Sequence, residues 1–227
     1  MKTSQRKQRA VKTEERKAWE REQRISRLVD IVQELFFTRG YDGTTVDDIA
    51  RAAGYTKRSI YLYFKDRDDL FLAVVRRGQE LFKEMLEKAL SENTTSDAPQ
   101  VINMGRAFYR FSLEHPQHFN LLLIYESRLH RYYMPEGEPD DGSFKSQCQK
   151  ISFEYGRLVM TAIENDIKNG WIKTRLSARQ LMLLLWGQIL GVMQIILMRK
   201  QSFRDAYGIN PEELFDEYIQ MVMKSLK

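Results

Sequence analysis

Between Thr44 and Asp69 the chain reads TTVDDIARAAGYTKRSIYLYFKDRDD, and its caps, apolar positions and single glycine leave little choice of backbone. Thr45 suits an N-cap, its hydroxyl placed to accept from amides of the next turn, with Asp48 three positions on to complete a box-like pair. Val46, Ile49, Ala50 and Ala53 then share one helical face, while Asp47, Asp48 and Arg51 face water. Gly54 follows the last apolar position and fits the left-handed backbone of a sharp helix stop. Thr56 is the next cap, and Lys57 to Tyr63 make about two turns of a second helix. Asp66 caps a further helix that begins at Arg67. A small residue (Ala50), a turn glycine (Gly54) and a buried aliphatic (Ile60) at these offsets are what a helix-turn-helix requires. The plainer alternative, a helical hairpin with a charged rim, accounts for none of the three together.

Upstream, Ile25, Leu28, Val29, Val32, Leu35 and Phe36 recur at three- and four-residue steps, an amphipathic helix ended by Gly40. It supplies a floor for the helix pair, with Tyr41 sealing the edge. Thr56, Lys57, Arg58 and Ser59 form the first turn of the second helix, the part that reaches base edges when such a helix enters a major groove. Lys57 and Arg58 can donate to guanine O6/N7 or to phosphate, and Arg58 is the better bidentate reader. Ile60 and Phe64 define the core face, so Tyr61 and Tyr63 cannot both be buried; a phenol on the rim suits a phosphate oxygen.

The run ISRLVDIVQELFFTRGYDGTTVDDIA (Ile25 to Ala50), then Gly54, TKRSIYLYF (Thr56 to Phe64) and the acidic cap before Leu70, resembles the N-terminal domain of the TetR family of bacterial transcriptional regulators. The likeness covers about a fifth of the chain; the later helices resemble the family only in length and layout. It implies an all-helical homodimer that binds a double-stranded DNA operator and releases it when a small molecule enters the C-terminal domain. By the same resemblance Tyr61, Tyr63 and Arg67 match positions that commonly touch the DNA backbone, and Thr44 with Thr45 caps the helix that crosses it. Two residues depart from the pattern: Leu62 stands where many relatives carry an aromatic, and Arg58 where many carry a small residue. Leu62 is expected to pack against a neighbouring helix, and Arg58 to mark a distinct base preference.

Five prolines, twelve glycines and few alternating β-branched runs point to an all-α chain. A single cysteine, Cys148, excludes an intramolecular disulfide, fits a reducing cytoplasm and reads as a small hydrophobe. The net charge of +5 lies in residues 1–24, which hold nine Lys/Arg against four Glu; residues 25–70 hold seven basic against eight acidic, and residues 71–227 twenty against nineteen. The tail has no hydrophobic segment of a secretory signal and is expected to be mobile to about Thr13. It reads as a flexible arm for phosphates or a minor groove, or else as a merely solvated tail.

Three segments follow: the basic arm (1–24), the helix-turn-helix domain (25–70) and a larger helical effector-binding and dimerisation domain (71–227). Expected helices in the last cover Leu70 to Leu90, Val101 to Glu114, Pro116 to Arg131, Phe144 to Asn169, Ala178 to Lys200 and Pro211 to Leu226, with Met134 to Gly142 a loop. The first is a natural lever, since moving its far end would alter the spacing of two reading heads. Met182 to Met198 is apolar on every side and must be covered all round; a membrane span is disfavoured by its length and two glutamines. Gly187, Gly191 and Gln194, with Leu214, Phe215, Tyr218 and Val222 of the last helix, are the candidate dimer interface, and the resemblance implies the same; one tight contact within the monomer is the alternative for the glycines. Effector-pocket candidates are Phe108, Phe111, Leu122, Tyr125, Glu126, Leu129, Phe153, Arg157, Met160 and Trp186, with Tyr133 and Met193 beside them. Plain core is the competing reading for the apolar members. Glu126 or Arg157 could fix a charged effector, or the two could pair.

No catalytic constellation is legible. His115 and His118 sit three apart near carboxylates, but Pro116 and the lack of HExxH or a Cys cluster argue against a metal site, and no cofactor is implied. The expectation is a cytoplasmic, ligand-responsive DNA-binding regulator, most simply a repressor on a near-palindromic operator. A constitutive DNA-binding helical dimer or adaptor without effector is the alternative.

Overall fold

A computed structural model describes residues 2–92, 99–132, 141–199 and 202–227, with the side chains of 2–12 and 131 excepted. Every element among these residues is helical: α1 (Lys2–Arg39), α2 (Val46–Ala53), α3 (Lys57–Ile60), α4 (Arg67–Ser91), α5 (Gln100–Glu114), α6 (Pro116–Ser127), α7 (Leu129–Tyr132), α8 (Phe144–Lys168), α9 (Ala178–Met198), α10 (Phe203–Tyr207) and α11 (Pro211–Ser225). Two compact units result, Met1–Arg77 with Leu121–Cys148 and Gly78–Asn120 with Gln149–Lys227, so α4, α6 and α8 each contribute to both. The boundary expected at residue 70 falls inside α4.

The first unit is built on the apolar stripe of α1: Leu28, Val32 and Phe36 are buried beside Ile49, Ile60 and Phe64 from the next elements. Phe71 of α4 sits among Phe36, Tyr41 and Tyr132 with ring centroids 4.7–6.4 Å apart. Cys148 is buried here and donates to the Leu72 carbonyl at 3.3 Å, the part of a small hydrophobe. In the second unit Phe82, Phe108, Phe111 and Phe119 form a ring cluster that Trp186 and Tyr155 extend, with neighbouring centroids 5.1–6.1 Å apart. Gly78 lets His118 approach; a Cβ there would lie 3.0 Å from Nδ1 of that ring.

Capping explains several helix ends. α9 opens on a capping box between Ser177 and Gln180, and α11 on Asn210 with Pro211 in the first turn. α5 is different. Its N-cap residue is Pro99, which makes no side-chain cap bond, and Asp166 of α8 instead accepts from Gln100 N at 2.8 Å and Val101 N at 2.9 Å. Burial holds this carboxyl above the usual carboxylate range despite those two bonds.

Four elements differ from expectation. α1 runs back to Lys2, so the tail expected to be mobile to Thr13 is helical; its Lys, Arg, Glu, Gln and Ala are good helix formers, without Pro or Gly. α3 is a single turn, because Leu62 N and Tyr63 N bond three residues back to Ser59 O and Ile60 O. The bulky run Ile60 to Phe64 has modest helix propensity and Asp66 already caps the next helix. The helix expected from Pro116 to Arg131 breaks at Arg128, whose N–H bonds Tyr125 O at 3.0 Å. α10 has no counterpart among the expected helices; it ends on Gly208 at φ 65, the one local signal for it. Residues 134–140 of the expected loop, and Tyr133, lie outside the described residues.

Candidate nucleic-acid interface

The turn between α1 and α2 is held from inside. Gly40 takes φ 75, and the fully buried Thr44 donates its hydroxyl to Gly40 O at 2.9 Å and Leu35 O at 3.3 Å. Arg67 closes the turn from α4: Nε donates to Thr44 O at 3.1 Å and a terminal nitrogen to Tyr41 O. The same guanidinium lies 4.1 Å from the Tyr41 ring centroid, Arg128 lies 4.7 Å from that centroid, and the Tyr41 hydroxyl donates to Asp68 at 3.0 Å. Tyr41 is thus a structural pivot.

The helix pair itself is set by local chemistry. Thr45 and Asp48 exchange a full capping box, and the bonds from Thr45 hold the Asp48 carboxyl below the usual range. Gly54 ends α2 at φ 67. Thr56 Oγ1 accepts from Ser59 N at 3.1 Å and starts α3. Asp66 and Asp69 then cap α4 reciprocally, through Asp69 N at 2.8 Å and Lys65 N at 3.0 Å.

What this scaffold presents to solvent is a polar, basic strip. Thr45, Thr56, Lys57 and Arg58 are exposed, Ser59 and Tyr63 half-buried, and Tyr61 is 44% exposed. Lys57 pairs with Asp47 at 3.1 Å across the turn. These side chains share a connected rim, the arrangement that major-groove reading by a helix start requires.

Two of the expected contact residues are corrected. Thr44 is sealed in the interior with its hydroxyl spent on carbonyls, and Arg67 is committed to the turn it braces. Leu62, expected to pack on a helix, is instead 66% exposed at the end of the shortened α3. Two residues not singled out join the rim from α1. Arg24 Nη1 donates to the Tyr63 hydroxyl at 3.2 Å, which raises the guanidinium pKa further, and Arg21 Nη1 donates to Leu62 O at 3.2 Å. Their three- and four-residue spacing back from Leu28 was the available signal.

Effector candidates are split by the fold. Phe108 and Phe111 are buried in the ring cluster of the second unit, with Trp186 against Phe108 and Met193 fully buried. Leu122, Tyr125, Glu126 and Leu129 belong to the first unit, where Tyr125 is buried and stacks on Tyr132 at 5.7 Å. Leu122 is buried, Leu129 exposed and Glu126 half-buried. Phe153 and Arg157 lie on the exposed side of α8 and Met160 is half-buried; the charge of Arg157 acts on its surface neighbour Glu154, so it is not a buried anchor. Among the described residues no three His, Cys, Asp or Glu side chains gather as metal ligands.

The dimer candidates are corrected in part. Phe215, Tyr218 and Val222 are buried in their own unit, Phe215 stacking on Tyr109 at 4.2 Å, and Leu214 is half-buried. They form the inner stripe of α11, which a period-3.6 pattern cannot assign to self or partner. Gly187 and Gln194 are exposed and Gly191 half-buried; a Cβ on either glycine would meet nothing within 4 Å, so neither makes a tight contact among the described residues.

This capped three-helix head, with a basic reading rim, defines a helix-turn-helix DNA-binding regulator. The family model for bacterial regulatory proteins of the tetR family matches residues 33–74, from the last two turns of α1 into α4. The fatty acid metabolism regulator protein of Bacillus subtilis is 22% identical over 176 residues, 78% of this chain and 84% of its own length. Among solved structures, AibR in complex with isovaleryl coenzyme A and operator DNA superposes with a TM-score of 0.60 at 18% identity, over 87% of this chain and 97% of that one. The transcriptional regulator FadR from Bacillus subtilis in complex with stearoyl-CoA does so with 0.61 at 18% identity, over 88% and 98%. Residues 33–74 thus match the DNA-binding domain of tetR-family regulators, and the chain as a whole is similar to regulators of that kind.

Proposed function

We propose that the protein is a ligand-responsive repressor: a homodimer that holds a near-palindromic operator and releases it when a small-molecule effector binds. The observation that carries this is the exposed run Thr56 to Arg58 at the start of a capped helix behind a glycine turn. A two-fold dimer would set two such turns on half-sites roughly 34–36 Å apart or at a related spacing. A compact dimer on an operator blocks polymerase with no further contact surface, which favours repression. Such work belongs in the cytoplasm.

Dimerisation is supported by α9. Leu183, Leu184, Ile195 and Met198 are 60%, 52%, 53% and 83% exposed, while the opposite face of Leu181, Ile189, Met193 and Ile196 is buried. A continuous apolar face of this kind needs cover. By length and composition α9 could also cross a membrane. The exposed Gln188 and Gln194 on that face, and the basic Arg179 in its first turn, favour a second copy of the helix over lipid.

For the effector, the two similar structures that carry acyl-CoA thioesters make that class the first to try. The ring cluster around Phe108 offers the apolar surroundings an acyl chain or other small hydrophobe would need. The test combines a gel shift on the DNA upstream of its own gene, at two salt concentrations, with sedimentation and a thermal-shift screen led by isovaleryl-CoA and stearoyl-CoA. Expected are a complex of two chains per duplex that weakens steeply with salt, and a thioester that raises Tm while releasing DNA. Binding that ignores sequence would overturn the operator reading. A broad library without a stabilising compound would leave a constitutive DNA-binding dimer.

A further inference from the structure

We propose that the N-terminal stretch of α1, Lys2 to Arg24, is a second DNA-binding element that lies along phosphates outside the half-site read by α3. The inference rests on the operator reading above and adds to it a partner for a surface that reading leaves unused.

Three observations carry it. Arg21 and Arg24 tie α1 to the reading rim through Leu62 O and the Tyr63 hydroxyl, and the Arg21 guanidinium also lies 5.2 Å from the Tyr63 ring centroid. The helix therefore leaves the head beside the residues that face DNA. Residues 13–20 are all exposed, Trp19 at 60%, and the ion pairs there are local, Lys17 with Glu14 and Arg16 with Glu20. A helix polar on every side takes no stability from a core, so burial cannot be its purpose. Finally, residues 1–24 carry nine Lys/Arg against four Glu, whereas residues 25–70 carry seven against eight. The complementary surface is a polyanion, and the bonds to the reading rim identify it as the duplex already engaged.

The reach fits. At about 1.5 Å per residue, roughly 30 Å of helix separate Lys2 from Arg21, close to the roughly 34 Å of one duplex turn. Arg24 donates to a lone pair of the Tyr63 hydroxyl, which leaves the phenol proton for a phosphate oxygen at the junction of the two elements.

The test is a full-length variant with Lys2→Gln, Arg6→Gln, Lys7→Gln, Arg9→Gln and Lys12→Gln, which keeps helix formers at every site. Operator affinity is measured against salt for wild type and variant, together with hydroxyl-radical footprints, helicity and Tm. The slope of log K against log salt should become shallower by about 0.9 for each phosphate that the variant no longer neutralises, about 4 in all if most of the replaced cations reach one. The footprint should lose its outer edges, while helicity, Tm and the preference for operator over scrambled DNA stay as in wild type. An unchanged slope and footprint would overturn the proposal. So would loss of binding to phosphatidylglycerol vesicles without change on DNA, which would assign the helix to a membrane surface. If wild type bound no duplex specifically, the operator reading itself would fail, an outcome distinct from either.

Discussion

Replacing Arg67 with alanine separates a brace from a DNA contact. Arg67 makes two charge-assisted bonds to the carbonyls of Thr44 and Tyr41 and lies over the Tyr41 ring. The side chain is half-buried, so each bond contributes about 1 kcal/mol after solvent screening, and the cation–π contact about 0.5–1 kcal/mol. Arg67→Ala should therefore cost roughly 2–4 kcal/mol. At about 2–4 °C per kcal/mol for a chain of this size, Tm should fall by roughly 5–15 °C. Calorimetry measures that fall, and titration of operator and scrambled DNA at several salt concentrations measures the rest. Affinity should drop on both duplexes alike and recover in part on cooling, with the salt slope unchanged. An unaltered Tm with a slope shallower by about 0.9 would refute the brace and return Arg67 to the phosphates.

Other substitutions probe the remaining surfaces. Arg58→Ala should lose roughly 1–3 kcal/mol on the operator and relax preference at one base position; equal weakening on every sequence would make Arg58 a phosphate contact. Ile195→Glu on the exposed face of α9 should yield a monomer in sedimentation with much weaker operator binding, and a persistent dimer would remove α9 from the interface. Asp166→Ala strips the acceptor from two amides at the start of α5, at roughly 2–5 kcal/mol by denaturant titration. Burial raises the folded pKa of Asp166, so its contribution is fully present below its unfolded value, about 3.9, and is lost as pH rises through the folded one. The stability gap between wild type and the non-titrating Asp166→Asn should accordingly widen as pH falls from 7 towards 4; a constant gap would contradict that.

Where a feature is made by neighbours in sequence, the residues alone reveal it. Thr45 with Asp48, Gly54, Thr56 and Asp66 cap and stop their helices as their spacing dictates. Where a side chain works across the fold, sequence misleads. Thr44 looks like a surface cap yet bonds carbonyls in the interior, and Arg67 looks like a phosphate ligand yet braces a turn. Asp166 lies 65 residues from one of the amides it caps, beyond any local rule. Phe215, Tyr218 and Val222 repeat at helical spacing whether they face their own unit or a partner; only their burial decides it. In α9 the burial contrast between its faces is likewise invisible in a sequence apolar on all sides.

The acids of the reading head show why a basic extension matters. Asp48 is needed to cap α2, and Asp66 and Asp69 to start α4, so folding the head requires carboxylates within a turn or two of its reading rim. Asp47 adds another, and its pairing with Lys57 offsets one of the few cations there. The head thus carries one more acid than base, although most affinity for duplex DNA comes from cations that displace counterions from phosphate. Local capping and polyanion binding pull the same surface in opposite directions. Placing the surplus charge on the N-terminal stretch of α1, which is exposed over residues 13–24 and meets the rim at Tyr63, satisfies both. Arg58 and its neighbours are then left to discriminate between bases, while α1 supplies the sequence-independent attraction.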